Sequence, residues 1–213
     1  MSVRIEMKNY TAVKNHLEKM KEAPKKVLKS TTADAKKRVP GWVATEVTKV
    51  YGIKKGEITQ KKVGSLRVVG SGIKDLKFIY SGRVLTPTHF SMTPKAPKEG
   101  GYTLKASVIK GQRSTLGKVK KLTKKQRADL AKNFTGAGDK KSDHSPIMLM
   151  RANGGQFLPF QRKSKDRKDI EAIKTISLPQ MISGERTKDN IHKAINEGIE
   201  KRLDHHMKRY MGK

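Results

Sequence analysis

Apolar positions change period twice along the chain. Tyr10, Val13, Leu17 and Met20 recur at three- and four-residue spacing, and Val27, Thr31 and Ala35 continue the same face, which predicts a long amphipathic helix. Pro24 is expected to bend or interrupt it, because proline removes a backbone donor. Pro40-Gly41 marks a second irregularity, after which Trp42, Val43, Glu46, Val47 and Val50 again read as helical. A helix with one apolar side must lie against a sheet, another helix or a neighbouring subunit.

Past Tyr51-Gly52 a charged segment, Lys54-Lys55-Gly56-Glu57, is expected to add a turn of helix, and then the period shortens. Ser65–Gly70, Leu76–Tyr80 and Tyr102–Val108 alternate as short strands. Val84–Phe90 is expected to lead into a sheet edge, since Pro87, Pro94 and Pro97 argue against a central strand. Ile147, Leu149 and Arg151 precede Asn153-Gly154-Gly155 and then Phe157–Arg162, a hairpin pattern in which Asn-Gly accommodates positive φ. A second amphipathic helix closes the chain from near Thr187, with Ile191, Ile195, Ile199, Leu203 and Met207 repeating every four residues. That spacing drifts slowly around a helix of 3.6 residues per turn, and Gly198 weakens it locally. The expected fold class is α+β: a long N-terminal and a C-terminal helix packed on a small, mainly antiparallel sheet.

Between the sheet pieces lies residues 110–143, with Val119, Leu122, Leu130 and Phe134 as its larger apolar anchors. It is too long for an ordinary connection and reads as a basic insertion, mobile or ordered by a partner, with a short helix near Lys124 to Lys132. The chain is otherwise expected to form one domain over 1–213. Val13, Leu17, Trp42, Val47, Phe157, Phe160 and the terminal stripe Ile191, Ile195, Ile199, Leu203 and Met207 are the candidate packing and assembly positions.

Charge changes the picture most. Forty-nine lysines and arginines against 19 acids give a formal net charge of +30 over 213 residues, with 34% hydrophobic residues. Holding so many like charges together favours a polyanion or an assembly around one. The densest run has no acid at all: Lys110, Arg113, Lys118, Lys120, Lys121, Lys124, Lys125 and Arg127. Arg162, Lys163, Lys165, Arg167 and Lys168 form a second patch after the hairpin. Both are candidate contacts for DNA or an acidic partner, of the kind that follows phosphates without reading bases. Aromatic residues sit where core packing is expected, so base stacking has little support.

Candidate chemistry is sparse. The chain has no cysteine, which excludes disulfides and thiolate sites, and the start Met1-Ser2-Val3-Arg4 reads as neither signal peptide nor membrane span. Motifs for zinc proteases, phosphate loops and serine hydrolases are missing. His205-His206 with Asp204 makes a poor metal set, because adjacent helical residues point about 100° apart; solvated or partner-facing histidines are expected. Glu197 and Glu200 have Lys201 and Arg202 nearby, so charge pairing is expected over an acid/base pair. No cofactor, metal or catalytic residue is expected, and the chain reads as a non-enzyme.

A resemblance adds a specific expectation. Its residues are Ala44-Thr45-Glu46-Val47-Thr48-Lys49-Val50, the basic stretch Ile53 to Lys62, Leu85-Thr86-Pro87-Thr88-His89-Phe90 and Gly111-Gln112-Arg113-Ser114. The most characteristic run is Gly154-Gly155-Gln156-Phe157-Leu158-Pro159-Phe160-Gln161-Arg162, followed after a basic spacer by Ile173-Lys174-Thr175-Ile176-Ser177-Leu178-Pro179-Gln180-Met181. In this order the chain resembles the minor tail protein Z family, the tail-completion proteins of lambda-like tailed bacteriophages, with the lysine-rich insertion as its departure from a compact version of the pattern. In that family a glycine turn leads to a strand ending in arginine, then to a strand and a proline-containing lead into the terminal helix. The resemblance implies a structural virion protein at the head-proximal end of the tail, made in the host cytoplasm. Its implied partners are tail terminator, tail tube or connector components, further copies of itself in a ring, and phage double-stranded DNA, with no membrane. The rival expectation is a freestanding, sequence-nonspecific nucleic-acid-binding protein.

Overall fold

A computed structural model of the chain describes residues 23–99, 101–119, 147–152, 155–163 and 169–211. The fold is the expected α+β class, with a long helix towards each end and antiparallel strands between them. The described residues fall into two compact units. The first draws on Met1–Val50, Lys54–Arg83 and Ser177–Lys213, the second on Tyr51–Ile53 and Val84–Ile176.

In the first unit, helix α1 (Ala23–Val50) packs along the terminal helix α4 (Glu185–Met211). Val27, Ala35, Val39, Val43, Ala44 and Val47 of α1 are buried, as are Ile191, Ile195, Ile199 and Leu203 of α4. Contacts of Ser30 with Tyr210, Asp34 with Arg202 and Trp42 with Gly198 run in opposite senses along the two helices, so the pair is antiparallel. Small side chains on α1 face larger branched ones on α4, the complementarity that close packing requires. Threonines inside α1 are satisfied locally: Thr31 and Thr32 donate to the carbonyls of Val27 and Leu28, each at 2.8 Å.

Two expectations about these helices change. α1 runs unbroken through Pro40-Gly41. The cost of the missing hydrogen bond is outweighed by burial of Val39, Val43 and Ala44 on either side, all at 0% exposure. In α4, which starts two residues before Thr187, the inner line passes from Leu203 to His206 and leaves Met207 half-buried. Four-residue steps advance about 40° too far each time, and one three-residue step brings the line back to the interface. Val13 and Leu17, with the helical turns expected before Ala23, lie outside the described residues.

The same unit holds the short helix α2 (Lys55–Thr59) and a hairpin of β1 (Ser65–Val69) and β2 (Lys77–Ser81), in register from Ser65 opposite Ser81 to Val69 opposite Lys77. Phe78 and Tyr80 fill its inner face at 2% exposure each. The Tyr80 hydroxyl is buried without a hydrogen-bond partner among the described residues, and burial pushes its pKa upward. Helix α3 (Leu178–Ser183) packs on β2. It opens on a capping box: the Gln180 amide donates to Ser177 Oγ, and the Ser177 amide to Gln180 Oε1 at 2.8 Å.

In the second unit, β3 (Tyr102–Ala106) pairs with β4 (Ser114–Val119), and β5 (Ile147–Arg151), β6 (Phe157–Arg162) and β7 (Ile170–Ala172) form an antiparallel sheet with β6 central. The core gathers Met92, Leu104 and Ile147 with Tyr102, Leu116, Leu149 and Ile173 packed against them. Strand β4 occupies the start of the expected 110–143 insertion, whose remainder from 120 lies outside the described residues, as does the helix expected near Lys124 to Lys132. Its Gly117 lies opposite Leu104 beside a bulge, and a Cβ there would come within 2.3 Å of Ile147 Cδ1. The segment expected to lead into a sheet edge, Val84–Phe90, ends in a 3₁₀ turn, Pro87–Phe90, which carries Phe90 into full burial, and just beyond it Thr93 pairs with Lys105 of β3. Phe157 and Phe160 are half-buried in β6.

Gly198 has a positive role in α4. A Cβ at this position would sit 2.5–2.7 Å from three ring atoms of Trp42, so the indole occupies the space that a side chain would take. Gly198→Ala is therefore expected to lower stability by about 1–3 kcal/mol through overpacking, despite a helix-propensity gain of about 1 kcal/mol. In a Trp42→Ala background the same change is expected to raise stability. Thermal melts of the four proteins check the reversal; a stabilising Gly198→Ala in the presence of Trp42 would remove the ring from that role.

Candidate functional site

The basic residues singled out from sequence separate into several groups. Lys110, Arg113 and Lys118 are exposed on and around the β3–β4 hairpin. Lys120, Lys121, Lys124, Lys125, Arg127, Lys165, Arg167 and Lys168 lie outside the described residues. Arg162 closes β6 opposite Ile170. Lys163 is not a free cation: its ammonium and that of Lys174 both bind the Glu171 carboxylate, Lys174 at 2.5 Å. The hydrogen bond from Lys163, then that from Lys174, and their charges lower the Glu171 pKa to about 2, while Glu171 raises that of Lys163.

A second cluster joins the two long helices and was not legible as a site. Asp34 on α1 accepts a hydrogen bond from Arg202 Nε at 2.5 Å and lies 3.1 Å from His206 Nε2, both on α4. His206 is 5% exposed, where a solvated or partner-facing ring was expected, and its Nδ1 is buried without a partner among the described residues. His205 remains exposed. Burial opposes ionisation of Asp34, but the hydrogen bonds from Arg202 and His206 and their positive charges together hold its pKa below the ordinary 3.8. The sequence signal was Asp34 itself, the sole acid between Ala23 and Val39; its partner stands 168 positions away.

Among the described residues no group of three or more histidines and acids is placed to hold a metal ion. Lys188, Asp189, His192, Asn196 and Glu197 line a shallow concavity, but its whole lining belongs to α4, so no opposing wall would hold a substrate. Glu197 instead lies 4.0 Å from Lys193. No described helix is long and apolar enough to cross a membrane. What the arrangement offers chemically is positive charge in excess of its carboxylates, several of which brace particular cations. Compared with protein-family models, curated proteins and solved structures, the chain returns no match.

The Asp34 cluster generates a pH dependence of defined sign. A carboxyl whose folded pKa is depressed adds stability above its unfolded value and loses it as pH falls through the folded one. Asp34→Asn is expected to cost about 1.5–3 kcal/mol at pH 7, the range for hydrogen bonds to charged groups. The gap from wild type is expected to narrow below about pH 4 as the carboxyl is protonated. Denaturant unfolding of both proteins at neutral and acid pH checks this; a pH-independent gap would show that shape rather than charge is lost.

Proposed function

We propose that this chain is a structural tail-completion protein of the minor tail protein Z kind, acting at the head-proximal end of a siphophage tail where tail joins head and DNA passes. The observation that carries the reading is the order of elements from Phe157 to Met211: a strand closing on Arg162, a further strand, the Pro179-containing helix α3 and then the long terminal helix. The resemblance requires that order, although it places the second strand within the run from Ile173 to Met181 and β7, Ile170–Ala172, ends just before that run. The net charge of +30 supports an anionic neighbour, either the genome or an acidic protein.

On this reading the work is geometric and electrostatic, not catalytic. The α1–α4 pair and the sheets position each subunit against tail terminator, tube or connector components. Repetition around a ring adds the fields of individual subunits, so the positive excess of each copy sums to a strongly positive collar. The protein is made in the host cytoplasm and ends in the neck of the virion, without a cofactor or a membrane.

The exposed cations Lys110, Arg113 and Lys118 favour a second reading, a freestanding nucleic-acid-binding protein without sequence preference. Deleting the gene from the phage genome that carries it separates the two. The tail reading expects separate heads and tails in electron micrographs and a collapse of infectious titre, both restored by the wild-type gene supplied in trans. Complete, infectious particles formed without the protein would overturn it.

A further inference from the structure

The lysines of the first part of α1 lie on one side, with the exposed Arg38 outside their arc. At 3.6 residues per turn, Lys25, Lys26, Lys29, Lys36 and Lys37 fall within an arc of about 120°, and all five are exposed. The opposite side holds the buried Val27, Thr31, Ala35 and Val39. Asp34, the one carboxylate between Ala23 and Val39, is taken up by Arg202 and His206. From Lys25 to Lys37 the stripe is about 18 Å long at 1.5 Å per residue. Over that length duplex DNA presents roughly ten phosphate charges, one per about 1.7 Å of axis.

The chemistry of the stripe separates anionic partners. A protein interface needs an apolar centre and is depleted in lysine, whereas the residue between these lysines on the exposed arc is Ala33. A lipid surface needs a free apolar helix face, and the apolar face of α1 is packed along α4. Lysines act as point charges without arginine's planar fork, which suits backbone phosphates over base edges. We propose that this face of α1 is a docking surface for the phosphate backbone of duplex nucleic acid, independent of base sequence. It deepens the function proposed above, resting on that reading's claim that the positive excess meets an anion, and it names which anion and where.

Fluorescence anisotropy of the full chain with a labelled mixed-sequence duplex, across about 50–200 mM salt, tests it. Glutamine keeps the helix propensity of lysine, so the triple variant Lys25→Gln, Lys29→Gln, Lys36→Gln removes charge alone. Its slope of log affinity against log salt is expected to be shallower by about 0.9 per lost contact, about 2.7 in all, with affinity at low salt down more than tenfold. The variant Lys188→Gln, Lys193→Gln, Lys201→Gln removes equal charge from exposed positions of α4 and is expected to change the slope by less than about one contact's worth. Should the first triple fail to match wild type by circular dichroism, Lys26→Gln with Lys37→Gln gives an independent reading, with an expected change of about 1.8.

An unchanged slope in the stripe variants, or an equal loss in the α4 variant, overturns the proposal. Tighter binding of wild type to polyglutamate than to the duplex at the same salt overturns it too, in favour of an acidic protein partner. Absence of salt-dependent duplex binding by wild type also defeats it, yet leaves the neck reading to stand or fall on gene deletion.

Discussion

The antiparallel contact between α1 and α4 is the constraint on which the first unit rests. Each helix has a single apolar side and a heavily charged remainder, so neither has a stable place without the other. Fully burying a branched aliphatic side chain is worth about 1.5–3 kcal/mol, and Ile191, Ile195, Ile199 and Leu203 meet the valines and alanines of α1 along one line. That line joins segments from the two ends of the described chain and closes the β1–β2 hairpin and α3 into the same unit. Valines and alanines buried on α1 and isoleucines and a leucine buried on α4 make the pairing, and the reversed size match of Trp42 against Gly198 fixes the register.

Where acids are few, their placement decides which cations are neutralised. Asp34 holds Arg202 and His206 across the helix pair, Glu46 holds Lys49 at 2.6 Å within α1, and Glu171 gathers Lys163 and Lys174 at the edge of the three-stranded sheet. Carboxylates at these points reinforce the fold, and among the described residues of α1 the two acids, Asp34 and Glu46, are engaged by Arg202, His206 and Lys49 and not by its outward lysines. Structural bracing and surplus surface charge are therefore two results of one distribution. Had the acids been scattered evenly, the same composition would have offered a partner no coherent positive face.

The parts of the fold legible in the sequence are those where one period dominates. Short apolar runs located β1 and β2, clearer alternation located β3, the Asn-Gly pattern located the β5–β6 hairpin, and four-residue spacing located α4. Strand β4 was hidden because Gly117 and Lys118 break its pattern and the surrounding lysines read as solvated chain; its pairing with β3 supplies the stability that its own residues do not. The Pro40-Gly41 pair signals a break that packing overrides. Phe90 enters the core from a 3₁₀ turn, whose period neither strand nor helix patterns detect. Of the candidate contacts, Lys163 could not be seen to be neutralised, since Glu171 reaches it only through the β6–β7 pairing. The Asp34 cluster was illegible for a similar reason: a contact spanning 168 positions leaves no local trace. The lysine stripe of α1 was readable in principle, by applying helical spacing to charge as well as to apolar residues.

Trp42 is the chain's one tryptophan, and its ring is seated against the bare backbone of Gly198 at the interface that organises the first unit. Its fluorescence consequently reports on helix pairing without any added label. Separation of α1 from α4 exposes the indole to water and shifts its emission to the red. The molecule thus contains its own optical gauge of whether the two ends of the described chain are joined.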